Sequence, residues 1–200
     1  MKTYTSIGFA CNTLASLFMV DPECEKHSSL YDSFSTMDVT KAGKEWPFVD
    51  DRKAAEFLSL IKEGILEGYD QLPRESLRLF NVELLSESLA SDPEYTEGVA
   101  VVCSMTELAL NRWIDECEID KKQTERAEGH VGQLLTLMAW VAMNIPELTL
   151  NFIYLHFLPW ADHFLRLLYM STNHAFYKGL SLLCLSTLRG MRTELEQKVA

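Results

Sequence analysis

Glycine and proline are scarce, nine and six of 200 residues, where an average protein carries roughly 12% of the two together. Few positions can break a helix, and strand-like alternation of apolar and polar residues is absent. Positive charge is also short: 18 Lys and Arg stand against 29 Asp and Glu, a formal charge of −11. That excess disfavours non-specific attraction to phosphate backbones or anionic lipid heads, and any charged partner should be basic. No uncharged apolar run reaches the ~18 residues that cross a bilayer; the nearest, LLTLMAWVAMNI (134–145), is twelve long. Cys11, Cys24, Cys103, Cys117 and Cys184 are odd in number and never form C-x-x-C, so neither a disulfide framework nor a zinc ribbon is expected, and the compartment should be reducing. GFAC (8–11) imitates a lipoprotein cleavage site, but no long apolar stretch precedes Cys11. The segment 7–20 reads as a first helix of a soluble, cytoplasmic protein.

Chemical signatures are missing as well. Phosphate loops, G-x-G-x-x-G, G-x-S-x-G and H-E-x-x-H do not occur, which removes the usual carriers of nucleotide, acyl-enzyme and zincin chemistry. His156 and His163 straddle Pro159, with Asp162 beside the second. They lack i,i+4 ligand spacing and a Cys partner, so they read as capping or hydrogen-bonded side chains, and no metal or other cofactor is assigned. Glu116 and Glu118 lie at an exposed helix terminus, where nothing raises a carboxyl pKa toward acid catalysis. Catalysis has no candidate residue. Gly64 and Gly68, four apart on one helix, read as helix packing.

What is present is apolar spacing. Hydrophobic residues make up 48% and charged residues 24%, a globular balance that excludes disorder for the whole chain. Ile7, Cys11, Leu14 and Phe18, then Phe57, Leu58, Ile61, Ile65, Leu66 and Tyr69, follow the helical period. Asp50 or Asp51 caps the second set, and Pro73 opens a helix over 73–89 in which Leu77, Phe80, Leu84 and Leu85 share a face. Further helices are predicted at 97–118, 124–144, 147–158, 160–171 and 174–197, with loops at 35–50 and 90–96. The expectation is an all-α, single-domain bundle of about eight to ten helices over 1–200, with its apolar mass between Val131 and Leu168. No internal repeat suggests a solenoid.

The acidity is uneven. Residues 1–100 carry 18 acids and nine bases, residues 101–200 eleven and nine. From Arg78 to Arg112 there are six acids, among them Glu83 and Glu87, and no base. Such a run is a solvated face or a dock for a cationic segment.

Three stretches then carry a resemblance: ERAEGHVGQLLTLMAWVA (125–142), YLHFLPWADHFLRLL (154–168) and NHAFYKGLSLLCL (173–185). Their order resembles the signature of the TorD/DmsD family of cytoplasmic redox-enzyme maturation chaperones. In that family a Glu-x-x-Asp-His segment opens an apolar helix, His-x-x-x-Pro-Trp precedes Phe-Leu, and Phe-Tyr begins the last long helix. The matching positions here are Glu125 or Glu128 with His130, His156 or a neighbour with Pro159-Trp160 and Phe164-Leu165, and Phe176-Tyr177. ELALNRWIDECEID (107–120) resembles the preceding helix. Gly129 stands where the family has aspartate. Asn81-Val82-Glu83 and Leu89-Ala90-Ser91 stand where it has Gly-Pro and Pro-Pro-aromatic segments.

The resemblance implies a TorD-like helical chaperone, not an enzyme. It would bind the twin-arginine leader, and the apo precursor, of a molybdopterin oxidoreductase of the dimethyl sulfoxide or trimethylamine oxide reductase kind until its cofactor is inserted. Leu79 and Phe80 would line a groove for the leader's apolar segment, His130 would hydrogen-bond its backbone, and Glu83 and Glu87 would steer its cationic head. Pro159, Trp160, Phe164, Phe176 and Tyr177 would be structural. A helical adaptor and a nucleotide-linked switch of the same fold are the alternatives, as a monomer or a helix-exchanged dimer.

Overall fold

A computed structural model describes residues 2–19, 25–80, 110–117 and 131–199. Among them there is no strand. The helices are α1 (Lys2–Phe18), α2 (Glu25–Thr36), α3 (Val39–Glu45), α4 (Asp51–Gly68), α5 (Leu72–Phe80), α6 (110–116), α7 (Val131–Asn144), α8 (Thr149–Phe152), α9 (Leu158–Ser171) and α10 (Ala175–Val199). The all-α expectation holds. No helix among the described residues is long and apolar enough to cross a membrane. The chain divides into two compact units, Met1–Met19 with Ser86–Ala161, and Val20–Leu85 with Asp162–Ala200, so the boundary falls within α9.

In the first unit α1 packs along α7. Ile7, Cys11, Leu14 and Phe18 on α1 and Leu134, Leu135, Met138 and Val141 on α7 are all buried. α7 buries residues around most of its circumference, as its near-continuous apolar sequence requires. The predicted break at Pro159 is corrected: instead of two helices, the chain runs from α8 through a π-helical turn (Ile153–Phe157) into α9. The Leu158 N–H reaches back to the Ile153 carbonyl, one residue further than in an α-helix. The offset leaves Pro159 in the first turn of α9, where its missing N–H costs little. Trp160, buried and stacked on Phe157 at 5.7 Å, donates its indole N–H to the His156 carbonyl.

In the second unit α4 is the central strut, with α2, α3 and α10 against it. Phe57, Leu58, Ile61 and Ile65 on α4 and Phe176, Leu180, Leu183 and Cys184 on α10 are buried in its core. The closeness of α4 and α10 depends on glycine: a Cβ at Gly64 would sit 2.6 Å from the Phe176 Cβ, and one at Gly179 2.6 Å from the Phe57 carbonyl oxygen. The predicted loop over 35–50 is corrected, because α3 lies inside it. Asp38 caps that helix, its carboxylate accepting from Thr40 and Lys41 N–H at 3.0 and 3.1 Å. Asp50, as expected, caps α4 through Arg52 and Lys53 N–H. The predicted loop at 90–96 and helix 97–109 lie outside the described residues.

Candidate functional site

The second unit brings α5 against the turn before α10. α5 begins after a single 3-10 turn (Tyr69–Gln71), with Pro73 in its first turn, and ends its described course at Leu79 and Phe80, both half-buried. Phe80 lies 5.8 Å from the Tyr177 ring, tilted by 59°. Tyr177 is itself buried and meets Phe176 edge-on at 5.0 Å. Phe176 is core, touched by Tyr31 at 6.5 Å.

Polar groups fix this corner. Glu75 accepts from Arg78 through both carboxylate oxygens at 2.8 Å, and from the Thr172 hydroxyl at 2.6 Å. Arg78 also donates to the Ser171 carbonyl at 2.6 Å. The Thr172 oxygen accepts from the His174 N–H, and the His174 ring lies 3.0 Å from the Gly68 carbonyl. A carbonyl only accepts, so Nε2 carries the proton. The Arg78 hydrogen bond holds the Glu75 carboxyl below its ordinary range, against its partial burial, with Thr172 acting in the same direction. Burial pushes the Tyr177 hydroxyl up to about 12, although its hydrogen bond with Ser76 pulls the other way. Tyr177 therefore stays neutral and offers a ring, not a charge.

The corner can present two apolar side chains from a clamped helix. No group of three metal-capable side chains occurs among the described residues. Of the expected leader-contacting set, Leu79 and Phe80 are present here, while His130, Glu83 and Glu87 lie outside the described residues. Phe164 is half-buried on α9, and Asp162 pairs with Arg166 and Arg189. His163 is exposed.

His156 corrects a second expectation, since among the described residues its ring neither caps a helix nor makes a hydrogen bond. It is 2% exposed, packed by Trp113 and Phe152 at 5.2 Å each, and neither ring nitrogen has a partner among the described residues. Burial alone lowers its pKa to about 4. Sequence reading missed Glu75, Thr172 and His174. Only the i,i+3 pairing of Glu75 with Arg78 was legible in advance.

No protein-family model matches the chain. It is 35% identical over 106 residues to a probable Tat proofreading chaperone DmsD of Haemophilus influenzae, a match that covers 52% of this chain and spans only 52% of that protein's length. It is 27% identical over 189 residues to the Tat proofreading chaperone DmsD of Salmonella typhimurium, covering 94% of this chain and 89% of that protein. Both of these similar proteins are named as chaperones, not as enzymes. Both carry the name DmsD, so the chain is similar to Tat proofreading chaperones of that name.

Proposed function

We propose that this protein acts in the cytoplasm as one chaperone domain that binds the twin-arginine leader, and the apo form, of a molybdopterin oxidoreductase of the dimethyl sulfoxide or trimethylamine oxide reductase kind. It holds that precursor until cofactor insertion, and export follows. The observation carrying this reading is the presentation of Leu79 and Phe80, half-buried at the end of a helix pinned by Glu75, Arg78 and Thr172. Energetics favour an apolar grip. A micromolar complex needs about 8 kcal/mol, and an exposed ion pair supplies only ~0–1 kcal/mol. At ~25 cal/mol per Å², apolar burial must reach roughly 330 Å² before ordering costs are met.

Titration calorimetry with a synthetic leader, an arginine pair followed by an apolar segment, tests the reading. Saturable binding that weakens more than about ten-fold in Leu79→Ala or Phe80→Ala is expected. A folded wild-type protein that binds no such peptide would refute it.

A further inference from the structure

The helix pair α1 and α7 in the first unit has an outward face nearly free of charge. On α1 the exposed residues Thr5, Phe9, Asn12 and Ser16 follow at i, i+4, i+7 and i+11. On α7 exposed Thr136, half-buried Trp140 and exposed Met143 keep the same period. The two stripes adjoin, because the Met143 side chain lies 3.1 Å from where a Cβ on Gly8 would stand, and Phe9 is the next residue. Phe9 and Met143 are each 55% exposed. Apart from Lys2 at the start of α1, neither helix carries a charged residue, whereas α4 alone carries seven.

Polar side chains on this face turn their donors inward. Thr13 and Ser16 donate to the Phe9 and Asn12 carbonyls at 2.9 Å each, Thr136 to the Gly132 carbonyl at 3.0 Å, and the Asn144 amide to the Trp140 carbonyl at 2.8 Å. Each bond returns to the same helix four residues back, which spends donors that a polar partner would need. Contact here therefore rests on shape and apolar surface. A two-fold interface sets a surface against its own copy, so a face with net charge of one sign repels itself. In a chain of formal charge −11 this uncharged face escapes that repulsion, and a second copy is its electrostatic match. A charged partner gains nothing from it. α1 is about 25 Å long and packed helix axes lie ~10 Å apart, so the pair offers a footprint of roughly 500 Å². That falls below the roughly 800 Å² per partner of a standard interface, which makes the contact a weak one.

We propose that the outward face of α1 and α7 is the contact surface of a reversible homodimer, in which the helix pair of one copy packs on that of the other around Phe9 and Met143.

Sedimentation velocity of the chain over a concentration series tests this. A rapid monomer–dimer equilibrium with a Kd on the order of 10–100 μM is expected. Association should strengthen several-fold between about 50 mM and about 0.5 M salt, because screening removes the repulsion of two acidic molecules while no ion pair is lost. Phe9→Asp and Met143→Asp should each abolish the dimer, and Leu66→Asp, at a 60% exposed position on α4, should leave it unchanged. Circular dichroism checks the folding of each variant. Phe9→Ser, which adds no charge, should weaken the dimer about ten-fold and decides the matter if the charged variants do not fold. A wild type that stays monomeric at the highest concentration in high salt overturns the proposal. So does a dimer that salt dissociates, that Leu66→Asp disrupts, or that survives dilution for hours as exchanged helices would. A strictly monomeric chain that sediments with phosphatidylcholine vesicles, and ceases to in Phe9→Asp, would give the face to a bilayer surface instead.

Discussion

Glu75 and Thr172, 97 positions apart in the chain, are joined by a 2.6 Å hydrogen bond in which the hydroxyl donates to the carboxylate. The same hydroxyl oxygen accepts from the His174 N–H at the entrance to α10. One side chain thus ties the orientation of α5 to the start of the longest described helix. Glu75→Gln keeps the shape but loses the charge that holds Arg78, and the loss should be about 1–2 kcal/mol of unfolding free energy in a urea titration at pH 7. Glu75 has a depressed folded-state pKa. Its contribution is therefore present above the ordinary carboxylate range and is lost as pH falls through the folded value. An unchanged midpoint in Glu75→Gln would show that the clamp is slack.

His156 produces a second pH dependence, with a different window. Its folded-state pKa is about 4 against an ordinary 6.5, so the unfolded chain takes up the proton first as pH falls. Stability should drop between the two values and level off below the lower one. The linkage gives a loss on the order of 2 kcal/mol between pH 7 and pH 5. His156→Phe should remove that difference whatever its effect at pH 7. Equal pH sensitivity in the variant and the wild type would rule out the buried imidazole as its source.

Two glycines should respond oppositely to alanine. At Gly64 the added Cβ would meet the backbone of Phe176, its Cα at 2.7 Å, and backbone between packed helices cannot yield. Gly64→Ala should cost about 2–3 kcal/mol despite its better helix propensity. At Gly8 the Cβ would press on the Met143 side chain at 3.1 Å and meet the Ala139 carbonyl oxygen at an ordinary 4.0 Å, and Met143 is exposed and flexible. Gly8→Ala should be neutral or stabilising by up to about 1 kcal/mol. Thermal melts of the two variants check this, and equal destabilisation would contradict the packing described.

Trp160→Phe keeps the stack on Phe157 and removes the indole N–H that satisfies the His156 carbonyl. Leaving that buried acceptor unpartnered should cost about 1–3 kcal/mol in chemical denaturation. No loss would mean that another donor takes the carbonyl.

Leader binding should separate from stability in Phe80→Ala. The ring is half-buried and rests on Tyr177, so its removal should lower stability by about 1–2 kcal/mol. Peptide affinity should fall more than about ten-fold at a temperature where the variant remains folded. A fall in stability with unchanged affinity would leave Phe80 a packing residue alone.

Local patterns in the chain were readable because they depend on neighbours a few residues away. The period of Phe57, Leu58, Ile61 and Ile65 announced α4, and Asp50 announced its start. α3 escaped because seven residues around Gly43 carry too little apolar period. Pro159 was read as a helix stop for a sound local reason. In the structure a π turn lets the helix continue, and the Trp160 indole bonds the His156 carbonyl across it.

Residue order by itself determined that this chain is helical, acidic, poor in chain-breaking residues and without the motifs of common catalysis. The periodic burial of apolar faces and the capping carboxylates act over a single turn, so they are written locally. Only the tertiary structure decided that Glu75 meets Thr172 and that His156 is buried without a ring partner among the described residues. Those outcomes depend on which distant segments exclude water from one another, and hydrophobic burial, being non-directional, does not specify them from spacing alone.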